Sequence, residues 1–281
     1  MTAGASASTT PAASATAPGE IAAAFVSARR AARALPGYPG AIPATLAQAY
    51  AIQDAALGLY PDTVAGWKVG RVPPELQARL GQERVAGPTF ADALRQPLKG
   101  ETVALPAIAG GFAAVEAEFI YRQAVDAPAG KTDWSADEAL GIVAALHVGV
   151  EFAGSPLKTI NDLGSTVVAS DFGNNAALVV GPEVPGWRQR ADATLAAETF
   201  IDDVRVGVGT AASVPGGPAL ALAFLLGHCA ARGLPLKAGM YVTTGAATGI
   251  HEIRAGQMAR ISFGEFGEIL CVAEIARPAT R

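Results

Sequence analysis

Apolar and polar residues follow two different rhythms along this chain. From Glu20 to Leu35 (EIAAAFVSARRAARAL) apolar residues recur at helical spacing and stop before Pro36-Gly37, which predicts a helix over 20–35. A second helix is predicted over 45–59, with Thr45 as its N-cap and Leu46, Tyr50 and Leu57 on one face. Beyond these two segments the rhythm shortens. Alternating or β-branched runs separated by Gly and Pro predict strands over 63–69, 116–123, 176–180, 199–206, 241–243, 258–263 and 268–275. Two helices interrupt this part. One spans 135–148, where Ser135 and Glu138 have capping-box spacing, and a strongly apolar one spans 218–232 before Gly233.

Helices first, then a β-rich body with two inserted helices, make an α+β chain. The expected organisation is a disordered tail over 1–19, an N-terminal helical segment over 20–62 and a β-rich catalytic domain over 63–281. The tail (MTAGASASTTPAASATAPG) lacks both the basic start and the apolar core of a signal peptide. Hydrophobic residues make up 51% and charged ones only 16%, the texture of a chain with a large core. A net charge of −4 argues against a nucleic-acid partner, and no apolar run is long enough to span a bilayer. Cys229 and Cys271 form no CxxC pair and sit among apolar residues. They read as buried free thiols of a cytoplasmic protein.

The segment Val115-Glu116-Ala117-Glu118-Phe119 carries the sharpest chemical signal. In an extended strand Glu116 and Glu118 share one face, while Val115, Ala117 and Phe119 share the other. Adjacent carboxylates repel unless water, a proton or a cation relieves them. They are therefore either the wet face of a half-buried strand or part of an oxygen cage. A third carboxylate such as Glu151 would complete a cage suited to Mg²⁺ or Mn²⁺. Lys68 stands alone in the apolar run GWKVG and needs either a counter-charge or a route for its amine to water. His147 precedes Glu151 by four residues and would share its helical face if the helix extended that far. A histidine bonded to backbone is the plainer expectation. Asp171, in SDFGNN, reads as a turn residue, and Thr243-Thr244-Gly245 closes a strand with hydroxyls and an N–H that could meet a carboxylate. No G-x-S-x-G and no glycine-rich phosphate loop is present.

Together GWKVG (66–70), VEAEFIY (115–121), ALHVGVEFAGSP (145–156), SDFGNNAALVVG (170–181), LKAGMYVTTG (236–245) and IRAGQMARISFGEFGEI (253–269) resemble the fumarylacetoacetate hydrolase superfamily. Within it, the resemblance is to the 2-keto-4-pentenoate hydratase and 4-oxalocrotonate decarboxylase group. It implies a mixed β-roll or sandwich with a Mg²⁺ or Mn²⁺ ion on Glu116, Glu118 and Glu151, and Lys68 in the active site. It also implies substrate contacts from Thr244, Gly245 and Asp171, and a homodimer or higher homo-oligomer acting on a small 2-oxo or 2-hydroxy acid. Two departures stand out. The hydratases carry an Asp in a PDFG-like segment where this chain reads Val85-Ala86-Gly87-Pro88, and their DSR appears here as Gly154-Ser155-Pro156.

The implied activity is hydration of a 2-hydroxy-2,4-dienoate to a 4-hydroxy-2-oxo acid in aromatic catabolism. Alternatives are decarboxylation of a 4-oxalocrotonate-type acid, C–C hydrolysis of a 1,3-dicarbonyl acid, and a non-enzymatic paralogue that keeps the cage. The hydrolase subgroup relies on a His/Glu pair, and no histidine precedes His147.

Overall fold

The structure, a computed structural model, describes residues 17–279. The first half of the chain contributes α1 (Pro18–Arg30), α2 (Leu46–Leu59), β1 (Val64–Arg71), α3 (Pro74–Leu80), β2 (Arg84–Phe90), β3 (Leu94–Arg95), β4 (Thr102–Ala107), β5 (Phe112–Gln123) and α4 (Ala136–Gly141). The second half contributes β6 (Val143–Ser155), α5 (Ser165–Ser170), β7 (Asn175–Glu183), β8 (Ala196–Ile201), β9 (Val204–Thr210), α6 (Gly217–Ala231), β10 (Tyr241–Thr243), β11 (His251–Glu252), β12 (Met258–Ser262) and β13 (Glu268–Ile275).

The α+β class expected from the sequence is the class observed, with boundary corrections that have local causes. Most of the expected tail lies outside the described residues, but Ala17, Pro18 and Gly19 belong to the start of α1. Proline at the first helical position is pre-set for the helical φ, and Glu20 accepts a hydrogen bond from the Ala17 N–H. α1 stops at Arg30 rather than at Leu35, and Ala32 adopts a left-handed φ of 47°. The expected 199–206 strand is the hairpin β8–β9, turned by Asp202 and Asp203, both at positive φ. The expected 135–148 helix ends at Gly141. Apolar residues from Val143 onward pair with β5 instead, as a short apolar run can do in either conformation. Among the described residues no helix is long and apolar enough to cross a membrane.

Two sheets face each other. The larger has eight strands in the order β2-β1-β10-β5-β6-β7-β3, with β11 paired to β5; the smaller has the order β4-β13-β12-β8-β9. Val115, Ala117, Phe119 and Tyr121 of β5, Val148, Val150 and Phe152 of β6, and Trp67 and Val69 of β1 form one core with Ile261, Ile269 and Cys271 of the smaller sheet and with α6. Cys229 and Cys271 are both buried and free. The opposite face of β5 begins with Phe112 and Ala114. There α1 and α2 cover it through Ile21, Phe25, Ile52 and Ala56. Further along that same face come Glu116 and Glu118.

Candidate metal centre

Strand register brings the acidic residues together. Along the β5–β6 ladder Glu116 lies directly opposite Glu151, and Glu118 lies opposite Gly149. Residues directly opposite in an antiparallel pair point to the same side, so all three carboxylates emerge on one face. β10 sits between β5 and β1, pairing Thr243 with Ile120 on one side and with Lys68 on the other. Lys68 thus joins the carboxylates on the face away from the main core.

Glu116 is 4% exposed, and Glu118 and Glu151 are fully buried. One oxygen from each lies within 4.8 Å of the others. Oxygens sharing a Mg²⁺ at its usual bond length of about 2.0–2.1 Å are closer than about 4.2 Å to one another, so the trio needs little adjustment to hold such an ion. Lys68 Nζ lies 3.3 Å from Glu151 Oε2, the Gly245 N–H donates to Glu118 Oε2 at 2.7 Å, and Asn175 Nδ2 donates to Glu151 Oε1 at 3.0 Å. Glu116 Oε1 and Glu118 Oε1 are buried without a hydrogen-bond partner. Three ionised carboxylates against one ammonium leave two negative charges uncompensated, the charge of one divalent cation. Burial, and then the Glu151 charge, push the Glu116 carboxyl up to about 8. The same causes, joined by Glu116, raise Glu118 well above the carboxylate range. Burial alone would lower the Lys68 ammonium, but Glu151, Glu116 and Glu118 outweigh it and raise the amine above its ordinary value.

The turn expected at SDFGNN braces this cluster. Phe172, Gly173 and Asn174 are successively left-handed, with φ of 53°, 63° and 58°. For a buried phenylalanine that is a strained backbone. Gly87 makes room for it, since a Cβ there would stand 2.1 Å from the Phe172 carbonyl oxygen. The turn aims Asn174 Oδ1 at Lys68 Nζ, 3.5 Å away, and delivers Asn175 to Glu151. Arg29 of α1 ties it down. Its guanidinium grips both carboxylate oxygens of Asp171 and donates to the Asn175 and Gly154 carbonyls, while Ser155 Oγ donates to Asp171 Oδ2 at 2.6 Å.

Asp171, expected to contact substrate, is therefore buried in an ion pair with Arg29, away from the cavity. Thr244 and Gly245 do line the cavity, but both of their expected donors are engaged inside the protein. Thr244 Oγ1 donates to the Phe119 carbonyl and Gly245 N–H to Glu118. Gly245 has a φ of 119°, a conformation that a side chain would strain. His147 lies on β6, roughly 13 Å along the strand from Glu151. There Nδ1 meets the Gly181 carbonyl and the ring stands edge-on to Tyr241. Sequence reasoning missed Arg29, Asn175 and the part played by Asn174; the pair Asn174-Asn175 after a glycine turn was the available signal.

The cluster opens into a cavity of about 690 Å³ walled by Lys68, Glu116, Asn174, Thr244 and residues of α3, α5 and the 213–215 and 245–250 loops. Compared by sequence, the chain matches no family model and no curated protein. Compared by structure, it matches 4-oxalocrotonate decarboxylase from Pseudomonas putida G7, complexed with magnesium and adipate, at a TM-score of 0.74 and 16% identity, covering 91% of this chain and 97% of that one. The chain has the fold of that enzyme. Fumarylpyruvate hydrolase from Pseudomonas aeruginosa, in complex with Mn²⁺ and pyruvate, matches at a TM-score of 0.55 and 17% identity, over 74% of this chain and 88% of that one. 5-Carboxymethyl-2-hydroxymuconate delta-isomerase from Mycobacterium smegmatis matches at 0.52 and 15%, over 78% and 82%.

Proposed function

We propose that this protein is a divalent-metal-dependent lyase of the fumarylacetoacetate hydrolase superfamily, acting on a small unsaturated 2-oxo or 2-hydroxy acid. The observation that carries this reading is the buried trio Glu116, Glu118 and Glu151, with Lys68 against it, at a cavity wall. Solved proteins of the same fold are named as enzymes of unsaturated oxo acids, and two of those described above were crystallised with magnesium or Mn²⁺. A Mg²⁺ or Mn²⁺ ion on the three carboxylates would supply positive charge to the C1 carboxylate and C2 oxygen of such an acid, where negative charge develops during reaction.

The chain's own residues supply the rest. Gly245 and Asn175 fix the Glu118 and Glu151 carboxylates, so the site is organised before a ligand arrives. Lys68 brings a cation and a transferable proton to the same place, and the Asn174 amide orients its amine. In hydration, the 2-hydroxy proton leaves and C5 is protonated, which makes C4 electrophilic. Water oxygen then adds at C4, and C3 takes up a proton. Lys68 is our choice for this proton traffic, because residues 85–88 offer no acid.

Decarboxylation is the second reading. It is favoured by the match to the decarboxylase over 91% of the chain, against 74% and 78% for the hydrolase and the isomerase. The C–C hydrolase reading loses support, because among the described residues no histidine lines the cavity. Incubation of the Mg²⁺-loaded protein with 2-hydroxypenta-2,4-dienoate, and separately with 4-oxalocrotonate, tests the assignment. Loss of dienol absorbance with formation of 4-hydroxy-2-oxopentanoate is the expected result, and CO₂ release from the second substrate identifies the decarboxylase. Turnover of neither overturns the lyase reading.

A further inference from the structure

A directed chain of hydrogen bonds leaves the acidic cluster and ends on the cavity wall. It begins at Lys68, whose ammonium has three N–H donors and no acceptor. The Asn174 amide must therefore face it with its oxygen, and Oδ1 stands 3.5 Å from Nζ. The other end of that amide can only donate, and Asn174 Nδ2 donates to Asn161 Oδ1 at 3.1 Å. Asn161 is thus engaged through its oxygen, which leaves its Nδ2 as the last donor of the chain. That nitrogen makes no hydrogen bond among the described residues, and Asn161 lines the cavity together with Lys68, Glu116 and Asn174.

Both asparagines are held in place. Asn174 is buried and left-handed, a backbone that asparagine adopts more readily than most residues. Gly173 before it lies against the Lys68 stem, where a Cβ would stand 3.0 Å from Cδ. Asn161 is exposed, on the loop between β6 and α5. Leu157 and Ile160 anchor that loop in the apolar cluster that contains Phe172, and the Gly164 N–H closes it onto the Asn161 carbonyl. The Asn161 amide therefore reaches the cavity already oriented, and a donor fixed in advance costs little to use. What it lacks is an acceptor.

A 2-oxo acid brings one. An acid of this kind meets a cation through one C1 carboxylate oxygen and the C2 oxygen, so its second carboxylate oxygen turns away from the ion. Resting on the 2-oxo-acid reading above, we infer that Asn161 is a substrate-binding residue whose Nδ2 donates to that second oxygen. The bond is charge-assisted, from an amide N–H to an ionised carboxylate. Asn161 then reads the group common to the whole substrate class and fixes the rotation of the acid about its C1–C2 bond, while the tail of the substrate lies elsewhere in the cavity.

The test is calorimetric binding of 2-oxopentanoate and acetohydroxamate to the Mg²⁺-loaded protein. Both ligands offer a cation two oxygens in the same ring size, but acetohydroxamate has no third oxygen for Asn161. Asn161→Ala should weaken 2-oxopentanoate about tenfold or more, the scale of a hydrogen bond to a charged group, and leave acetohydroxamate and Mg²⁺ affinity unchanged. Asn161→Asp keeps the oxygen that Asn174 needs but has no donor, so it should lose 2-oxopentanoate at least as strongly. A thermal melt confirms the fold of both variants. Wild-type affinity for 2-oxopentanoate in either variant, or equal weakening of both ligands in Asn161→Ala, overturns the inference and leaves the 2-oxo-acid reading standing. A wild-type protein that binds no 2-oxopentanoate overturns that reading and the inference with it.

Discussion

The two faces of β5 are made by alternate residues of one strand and meet burial with opposite consequences. Val115, Ala117, Phe119 and Tyr121 enter the core between the sheets, where removal from water contributes about 1.5–3 kcal/mol for each large side chain. Glu116 and Glu118 are buried nearly as completely, and there the same removal from water opposes their ionisation. One face holds the fold together, and the other holds charge that the fold alone leaves uncompensated. The contrast teaches that the site is stabilised from outside itself, by the apolar ladder behind it and by the Arg29–Asp171 brace beside it.

The largest effect should follow from breaking the apolar face. Phe119→Ala removes a fully buried ring that packs edge-on against Phe263, and should cost about 3–5 kcal/mol in chemical denaturation. Next comes pH on the acidic face. Glu116 and Glu118 bind protons more tightly folded than unfolded, so stability of the metal-free protein is full below the unfolded carboxyl range, near 4.5, and falls as pH rises toward about 8. Thermal melts across that window should show the decline, and saturating Mg²⁺ should flatten it. A metal-free protein that gains stability over the same window would contradict the burial of these groups as carboxyls. Lys68→Met should disturb the fold least, keeping metal affinity while losing turnover. An active variant would remove Lys68 from the chemistry.

How much of this was visible in the sequence depended on range. The period-two pattern of 115–119 announced both faces of β5, and Thr45 marked the start of α2. The capping box at Ser135 predicts more turns than the six-residue α4 delivers, and Val143 to Val148 belong to β6 instead. The ladder with β5, which decides the matter, is a long-range property. Arg29 was beyond reach for the same reason. It sits in an amphipathic helix like any surface arginine, and its partner Asp171 is 142 residues away. Asp171 likewise reads locally as a turn residue, and only the tertiary fold sets its carboxylate between Arg29 and Ser155.

We propose that Glu116, Glu118 and Glu151 together hold one divalent cation. Titrating Mn²⁺ into the wild type and into Glu118→Ala, with circular dichroism to follow the fold, tests it most directly. One ion should bind per wild-type chain and none at comparable concentration to the folded variant, whereas wild-type affinity in Glu118→Ala would contradict the assignment.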